Sequence, residues 1–457
     1  MINTLYLPEL RELLAANNGL ELREFCEALH PARTAEFMEG LTTDEAWAVL
    51  RHTESITRGE IFSYFELDRQ KEILESQDRA ELAEMVAEMA PDDRADILQD
   101  LEDDLLQDIL QRLPADERRD YLRLSQYPEG TAGAVMTSEV AKLAADLTIE
   151  KAIAEIARQS EEYETIYYLY VVDSDDHLLG LVSTRKLLAS MRTPNIQLAE
   201  IMDTELIVCE ALEDQEDVAA KVAKLNLLAI PVVDEERKML GIITHDDVID
   251  VVQEEATEDA HRIAAVDPLD ESYLKTSLIT LSWKRGVWLI ILFVFALLTA
   301  IILDQNESKL ARWVWLAPFI PLVISSGGNT GNQSATLIIT ALARGHISLY
   351  DWSKIIWREF LMGIMLGGSL AVLGYFSVIM LEGVGFFSPE ALVVPLTLLL
   401  VVVAGTLTGS ILPLVFERLG LDPALMSNPF VAGIIDIIGI VIYMKVAVTL
   451  MGPPGGL

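Results

Sequence analysis

The stretch FVAGIIDIIGIVIY, residues 430–443, decides how the C-terminal part of this chain folds. Apart from Asp436 it contains no charged residue, and the uncharged run continues to Met444. A helix that crosses the bilayer core needs roughly 17–25 mostly apolar residues. We therefore expect a transmembrane helix here, with one carboxylate in its interior.

Four further uncharged runs precede this one along the chain. Each is about as long as one membrane span requires, and a soluble protein would need a very large core to bury five such helices. The sequence therefore predicts an α-helical membrane domain over residues 278–457 with five transmembrane helices. The four runs are 286–303, 313–343, 360–381 and 391–416, and the last span begins near residue 423.

Lysine and arginine residues between the runs predict the orientation, because short cytoplasmic loops are enriched in them. One side of the predicted spans carries seven, whereas the other carries Lys309 and Arg312. The basic side is expected in the cytoplasm beneath a plasma (inner) membrane, with residues 1–270 cytoplasmic and the C terminus outside. The seven are Lys275, Lys284, Arg285, Arg344, Lys354, Arg358 and Arg418.

All of the net charge lies in residues 1–270. The chain has 71 acidic and 34 basic residues, a net charge of −37, and from Glu271 onward ten acidic residues balance ten basic ones. Such an acidic surface repels nucleic acid, which is therefore not an expected partner, and attracts cations. Cys26 and Cys209 form no metal-binding pattern and favour a reducing compartment.

Residues 1–130 predict an acidic, all-α domain, because apolar residues recur at helical spacing. MVAEMAPDDRADIL (85–98) matches ILQRLPADERRDYL (109–122), and CEALHPARTAEFM (26–38) is a weaker third copy. Repeats of this kind predict stacked helical hairpins in a small superhelix. Proline followed by acidic residues is typical of a helix start, which is one interpretation of the acidic pair after Pro91.

Residues 131–256 contain a different repeat. YVVDSDDHLLGLVSTRKLL (170–188) pairs with PVVDEERKMLGIITHDDVI (231–249), and VMTSEV (135–140) pairs with IMDTEL (201–206). Each copy predicts an extended start, a helix, a strand, a turn, a strand and a helix. This α/β arrangement resembles a tandem of CBS domains, which are paired regulatory modules that often bind adenine nucleotides. The two copies cover about 135–195 and 201–256.

The nucleotide signature of such modules is incomplete here. In copy two, Thr244 is followed three residues later by Asp247, as a ribose-binding carboxylate requires. In copy one, Lys186 stands at the corresponding position. ATP binding through Thr244 and Asp247 is one interpretation, and a different role for Asp247 is the other.

Residues 247–277 predict one long acidic helix that connects the CBS pair to the first span. Asp247, Asp250, Glu254 and Glu258 are spaced so that they share one face. Like charges four residues apart destabilise a helix by roughly 0.2–0.5 kcal/mol per pair. A solvated face is the plain interpretation, and a cation-binding face next to a membrane gate is the alternative.

Two predicted spans carry polar residues every four positions. Gly328, Asn332 and Thr336 share a face of the second span, where PLVISSGGNTGNQSATLIIT (321–340) concentrates glycine and amide side chains. Ordinary close packing of helices through small residues is one interpretation. An ion-path lining is the other, because this segment is unusually polar.

Asn428, Ala432 and Asp436 share a face of the last span, and Asn428 before Pro429 predicts an N-cap. An aspartate at the centre of a membrane helix costs about 2.5–3.5 kcal/mol on insertion scales, so it normally faces a watery path or a partner. Mg²⁺ prefers oxygen ligands and keeps its waters. The absence of His and Cys from these positions disfavours softer metals. Two chains around an axis would place two such carboxylates against one hydrated ion.

Four segments and the CBS pair resemble the MgtE family of magnesium channels, in the same order along the whole chain. The segments are SQYPEGTAGAVMTSEV (125–140), TEDAHRIAAVDP (257–268), SSGGNTGNQSAT (325–336) and LDPALMSNPFVAGIIDIIG (421–439). The resemblance implies a homodimer in the lipid bilayer with the pore on its two-fold axis. It also implies that Asp436 is the ion-selective carboxylate, with Asn428, the Ala432 carbonyl and the Gly328–Asn332 segment beside the path.

The resemblance further implies that cytoplasmic Mg²⁺ closes the pore by binding acidic residues between the N domain, the CBS pair and the connecting helix. Carried over by position, these are Asp247, Asp250, Glu255, Glu258 and Asp259, together with Glu216, Asp92, Asp93 and Asp96.

Two other functions compete with a Mg²⁺ channel. An ion-coupled transporter of divalent cations (Mg²⁺ or Co²⁺) would keep the same spans, but Asp436 is the only acidic residue inside the predicted spans, which argues for passive flow. A membrane-anchored CBS regulatory protein without a pore would not need Asp436. An enzyme is not indicated, because the six histidines are scattered and no nucleophile–base motif occurs.

Overall fold

The computed structural model describes residues 5–99, 101–160, 163–269, 273–274, 276–383, 385–386, 388–425 and 427–452, except for the side chains of 309 and 310. The chain divides into two compact units, Met1–Gln253 and Glu254–Leu457.

The first unit opens with short helices, as the apolar spacing predicts. Trp47, Phe62, Leu82 and Leu98 are among the fully buried residues of their core. Within the described part of residues 1–130 the helices are α1 Leu7–Ala15, α2 Gly19–Ala28, α3 Pro31–Met38, α4 Thr43–Leu50, α5 Ser55–Ser63, α6 Leu67–Ser76, α7 Arg79–Ala87, α8 Pro91–Gln99, α9 Asp103–Arg112 and α10 Ala115–Leu124.

A buried arginine on α8 closes the end of the preceding helix. Arg94, 1% exposed, donates hydrogen bonds to the carbonyl oxygens of Val86 (3.0 Å) and Met89 (2.7 Å) and pairs with Glu117. In the same way, Arg58 donates hydrogen bonds to the carbonyl oxygens of Leu50 and Thr53 at the end of α4. The last carbonyls of a helix lack partners within it, so this device lets short helices end inside the core. Periodicity alone did not predict it.

Two three-stranded sheets follow, one in each copy of the second repeat. β2 pairs parallel with β1 and antiparallel with β3, and β5 pairs in the same way with β4 and β6. The elements are β1 Val140–Ala144, α11 Ile149–Gln159, β2 Thr165–Val172, β3 Leu178–Ser183, α12 Thr184–Ala189, α13 Leu198–Ile201, β4 Cys209–Glu210, α14 Gln215–Leu225, β5 Ala229–Val233, β6 Met239–Thr244 and α15 His245–Ile263.

The extended start of each copy pairs with the other copy. Thr137 and Ile242 exchange backbone hydrogen bonds of 2.9 and 3.0 Å, and Asp203 and Leu181 exchange bonds of 2.8 and 2.9 Å. Each sheet therefore receives its outer segment from its partner copy, which locks the two copies together. This explains why the short motifs VMTSEV and IMDTEL repeat along with the strands.

The connecting helix is shorter than predicted. The sequence predicts a helix over 247–277, but α15 ends at Ile263. Ala265 adopts a left-handed backbone conformation with φ of 59°, and the Val266 amide donates back to the His261 carbonyl. This closure is typical of a helix C terminus, and Pro268 follows it.

The second unit is built on five long helices within its described residues. They are α16 Leu278–Gln305, α18 Ile320–Ala343, α19 Trp352–Glu382, α20 Val393–Arg418 and α21 Asn428–Met451, with a short α17 at Glu307–Arg312. Four described segments, which contain α16, α19, α20 and α21, are long and apolar enough to cross a membrane. The polar middle of α18 keeps it out of that set, so its crossing stays a prediction.

Glycines bring α18 and α20 into backbone contact. A Cβ atom on Gly405 would lie 2.7 Å from the Gly327 carbonyl oxygen, and one on Gly409 would collide with the Gly331 carbonyl oxygen. Both pairs therefore need glycine for steric reasons. In a bilayer, where burial of apolar surface does not drive helices together, such close contacts determine which faces pack.

Arg94→Leu is expected to destabilise the first unit by about 3 kcal/mol or more, because buried carbonyls and Glu117 lose their donor. Arg119→Leu is the matched control, since its ion pair with Asp116 is exposed and should contribute less than about 1 kcal/mol. Urea unfolding, monitored by hydrogen exchange in α7 and α8, measures the loss of unfolding free energy in both variants. Equal losses in the two variants would contradict the assignment.

Candidate functional site

The predicted ion-path residues of α18 and α21 face each other. A Cβ atom on Gly328 would lie 3.5 Å from Ala432 Cβ and 3.8 Å from Asp436 Oδ1. About two helical turns further along α18, Thr336 donates a 3.1 Å hydrogen bond to Asn428 Oδ1. The two helices thus run antiparallel with their four-residue faces in contact, as their spacing predicts.

The start of α21 differs by one residue from the prediction. Ser427, not Asn428, is the N-cap, and Asn428 is the first helical residue. The Ser427 side chain makes no capping hydrogen bond, and the Asn428 side-chain oxygen accepts from Thr336 of α18. Asn428 therefore links α18 to α21 beside the predicted ion path.

Asn332 lies between these contacts on the same face of α18. Its Oδ1 atom is buried and has no hydrogen-bond partner within the described residues. Such an oxygen is costly unless water or an ion satisfies it. Together with the half-buried Asp436 carboxylate it supplies the oxygen chemistry that Mg²⁺ and its waters prefer, so the residues present fit a hydrated Mg²⁺.

A first acidic cluster lies in the first unit, Met1–Gln253, which is called the soluble unit from here on. It contains four of the predicted sensor residues. Asp92 and Asp93 occupy the first turn of α8, and Asp247 and Asp250 lie on α15. Burial raises the pKa of Asp92 well above its ordinary value, and the charges of Asp247, Asp93 and Glu164 raise it further. Asp92 Oδ1 accepts no hydrogen bond in the described structure.

The neighbours of Asp92 show the same crowding of negative charge. Burial and then Asp247 raise the pKa of Asp93 to about 6, against an opposing hydrogen bond from Ser63, although part of this residue remains exposed to solvent. Partial burial and Asp247 raise the pKa of Glu164 to about 7, although the side chain keeps contact with solvent. The cluster therefore favours any cation or proton that neutralises it.

Asp247 is also the residue that the nucleotide interpretation uses. Its Oδ2 accepts hydrogen bonds from the Thr244 amide (3.0 Å) and hydroxyl (2.5 Å). In copy one, Lys186 forms a 2.6 Å ion pair with Asp203 instead. Thr244 therefore orients the Asp247 carboxylate, and the negative charge of Asp247 raises the pKa of Asp92 and Asp93 beyond the effect of their burial.

A second acidic cluster lies at the end of α15, in the second unit, Glu254–Leu457, which is called the membrane-associated unit from here on. Burial raises the pKa of Asp259 to about 6, and the charges of Asp422, Glu255 and Glu258 contribute. Arg262 pairs with both Glu258 and Asp422. Asp422 stands six residues before Asn428, so the connecting helix is tied directly to the segment that leads into α21.

The remaining predicted sensor residues, Asp96 and Glu216, are exposed on α8 and α14. Their participation in a metal site stays a prediction. Sequence reasoning missed Glu164 and Asp422, because both lie far along the chain from the cluster residues that they approach. Only the tertiary contacts bring them to the clusters.

One premise about the membrane helices is wrong. Asp436 is not the only carboxylate in a candidate span, because the helices extend beyond the uncharged runs. Asp304 and Glu417 stand near the ends of α16 and α20, whereas α19 begins at Trp352 and contains Glu359 two turns further in. Glu359 directly precedes the uncharged run 360–381, which is why hydropathy placed it outside.

Apolar helices with a carboxylate-bearing face, joined to a CBS pair and acidic helical hairpins, define a regulated membrane transport protein for cations. Family models agree over most of the chain: the divalent cation transporter model MgtE matches residues 320–446, the MgtE intracellular N domain matches 29–130, and CBS domains match 132–193 and 198–254. The chain belongs to the MgtE family. The resemblance read from the sequence and the predicted fold class are thereby confirmed.

The magnesium transporter MgtE of Thermus thermophilus is 36% identical over 444 residues, which are 96% of this chain and 97% of that protein. A crystal structure of the soluble part of a magnesium transporter covers 55% of this chain and 97% of its own, with 32% identity and a TM-score of 0.52. The cytosolic domain of the Mg²⁺ channel MgtE in complex with ATP covers 53% and 98%, with 33% identity and a TM-score of 0.50.

Without metal, Asp92→Asn is expected to be more stable than the wild type at pH 7.5, with the difference shrinking toward pH 4–5. Folding raises the pKa of Asp92, so the folded state binds protons more tightly than the unfolded state and stability falls as pH rises. Urea unfolding of the full chain in EDTA measures this difference.

Millimolar Mg²⁺ should reduce the same difference at pH 7.5. Asp116→Asn, at a carboxylate 86% exposed, is the control and should track the wild type at every pH. A wild type that gains stability relative to Asp92→Asn as pH rises would contradict the cluster's electrostatics.

Proposed function

We propose that this chain is a Mg²⁺-selective channel that mediates magnesium uptake into the cytoplasm and that cytoplasmic Mg²⁺ closes. The position of Asp436 supports this most: it lies on α21, beside Gly328 of α18, on the face that also carries Asn428 and Ala432. The magnesium transporters among the relatives support the identity of the ion.

The proposed ion passes with its water shell. A single carboxylate per chain cannot replace the waters of Mg²⁺, which dehydrates reluctantly. In the proposed homodimer, two Asp436 carboxylates face one hydrated ion, and the amide oxygens of Asn332 and Asn428 accept from its waters. The membrane potential drives inward flow. A divalent ion that crosses the membrane gains about 4.6 kcal/mol per 100 mV, twice the value for a single charge.

The proposed orientation places the soluble unit in the cytoplasm and the C terminus outside. The basic loops support it through the positive-inside bias, and the family model over 29–130 describes an intracellular domain.

The first acidic cluster is proposed to sense cytoplasmic Mg²⁺. At low Mg²⁺ the carboxylates of α8 and α15 repel one another, which favours separation of these helices. At high Mg²⁺ a divalent ion bridges Asp92, Asp93, Asp247 and Asp250 and draws the helices together. Because the ion binds the closed arrangement better, it shifts the population toward it.

The second cluster carries the effect to the path. Glu255, Glu258 and Asp259 lie on the same helix as Asp247 and Asp250, and Asp422 precedes α21. Mg²⁺ bound among these carboxylates would hold the end of α15 against the segment that positions Asn428. Few carboxylates and many waters imply weak affinity, which suits a sensor of free Mg²⁺.

Asp247 is assigned to the sensor first. ATP binding at Thr244 and Asp247 is a secondary proposal, supported by the ATP complex of the related cytosolic domain. Ion-coupled transport is the second candidate function, since Glu359 supplies a second carboxylate in a candidate span. The channel is preferred because Glu359 bonds Ser334, which does not belong to the α18 face that meets Asp436.

Asp436→Asn is expected to reduce Mg²⁺ influx into proteoliposomes to background, because the amide keeps the shape and removes the charge. Expression and dimer formation should persist in size-exclusion chromatography. Asp304→Asn, near the end of α16, is the control and should carry Mg²⁺ like the wild type. Undiminished influx in Asp436→Asn would sink the channel assignment.

Neutralising Asp247, Asp250, Glu258 and Asp259 together is expected to leave a pore that high internal Mg²⁺ no longer closes. Single-channel or flux recordings at low and high internal Mg²⁺ measure the closure. Normal closure in this variant would refute the sensor. The control neutralises four exposed carboxylates outside both clusters and should close normally: Glu9, Glu21, Glu24 and Asp116.

A further inference from the structure

Glu359 on α19 joins three of the long helices. Its Oε2 atom accepts a 2.6 Å hydrogen bond from the Ser334 hydroxyl of α18. Its backbone carbonyl lies 3.0 Å from the Thr406 hydroxyl of α20, which is shared with the Val403 carbonyl at the same distance. Ser334 is 4% exposed and Thr406 is 1% exposed. Both hydroxyls are thus buried inside the protein. A hydrogen bond there is stronger than in water.

The backbone around Glu359 is held closely against α20. Gly363 lies one turn further along α19, and a Cβ atom there would stand 2.7 Å from Thr406 Oγ1 and 2.8 Å from Val403 Cα. The two helices therefore cannot shift toward each other at this level. Glu359 consequently offers its carboxylate to α18 from a defined position.

Ser334 and the ion-path residues lie on different sides of α18. Thr336, two residues on, is turned by about 200° from Ser334 and donates to Asn428 of α21. Glu359 holds one side of α18, and Asn428 holds the opposite side. Two bonds from opposite sides restrict rotation of α18 about its own axis, and that rotation decides where Gly328 and Asn332 point.

We propose that Glu359 is a positioning residue of the ion path: through Ser334 it sets the angle at which α18 presents Gly328 and Asn332 to Asp436, and thereby the selectivity for Mg²⁺. This inference rests on the proposed function. A carboxylate suits the task because a hydroxyl donates a shorter and stronger bond to a charged oxygen than to a neutral one. An apolar residue would leave the buried Ser334 hydroxyl without this acceptor.

The test compares Glu359→Leu, Glu359→Gln and Ser334→Ala with the wild type, as full chains in proteoliposomes. The measured quantity is the ratio of initial Mg²⁺ influx to initial Ca²⁺ influx. Misplacement of a binding group by about 1 Å changes discrimination strongly, so the ratio should fall about tenfold or more in Glu359→Leu and Ser334→Ala. Glu359→Gln should stay within about threefold, since its amide oxygen still accepts from Ser334.

Ser326→Ala is the matched control on the same helix. The Ser326 hydroxyl donates to the Leu322 carbonyl of α18 itself, so its loss leaves the contact with α19 intact and should leave the ratio unchanged. If Glu359→Leu does not fold, Ser334→Ala against Ser326→Ala decides the question alone.

Wild-type selectivity in Ser334→Ala and Glu359→Leu would overturn the proposal. Equal loss in Glu359→Gln and Glu359→Leu, with wild-type influx that follows an imposed proton gradient, would also overturn it, because Glu359 would then carry a proton. A wild-type protein that transports no Mg²⁺ would instead overturn the proposed function, so the two failures are distinguishable.

Discussion

A carboxylate inside an apolar helix is the constraint on which the membrane-associated unit depends. Asp436 is tolerated there only if water, an ion or polar groups meet it, because its insertion costs about 2.5–3.5 kcal/mol. The face of α18 opposite Asp436 therefore carries glycine and amide side chains instead of bulky apolar ones. The glycine contacts of α18 with α20 hold that polar helix in place although its own middle is too polar to be a strong membrane segment.

Buried carboxylates are also the main electrostatic feature of the soluble unit, where several of them lie close together. Burial, and then the charges of neighbouring carboxylates, raise the pKa values of Asp92 and Asp247, so the ionised cluster is destabilised unless a positive charge neutralises it. A second crowding recurs at Asp259 and Asp422. One continuous helix, α15, carries residues of both clusters. In the proposed function, this helix would couple the Mg²⁺ concentration to the segment that precedes α21.

Hydrogen bonds between helices supply the specificity that apolar contact lacks in a bilayer. Thr336 with Asn428 and Ser334 with Glu359 fix the two sides of α18. In the soluble unit the buried Arg94 performs a related task by closing helix ends within the core. In each case a polar group is buried with its partner supplied by a different helix, which makes one packing arrangement preferable to its neighbours.

The sequence by itself determined the apolar helices, both internal repeats and the shared face of Asn428, Ala432 and Asp436, because hydropathy and helical or strand periodicity are local properties. Only the tertiary structure decided how far these elements extend and which charges meet. The end of α15, the cap at Ser427 and the extension of α19 over Glu359 depend on backbone closure and on bonds between helices. Glu164 and Asp422 join the acidic clusters because folding brings together residues far apart in the chain, which no local pattern records.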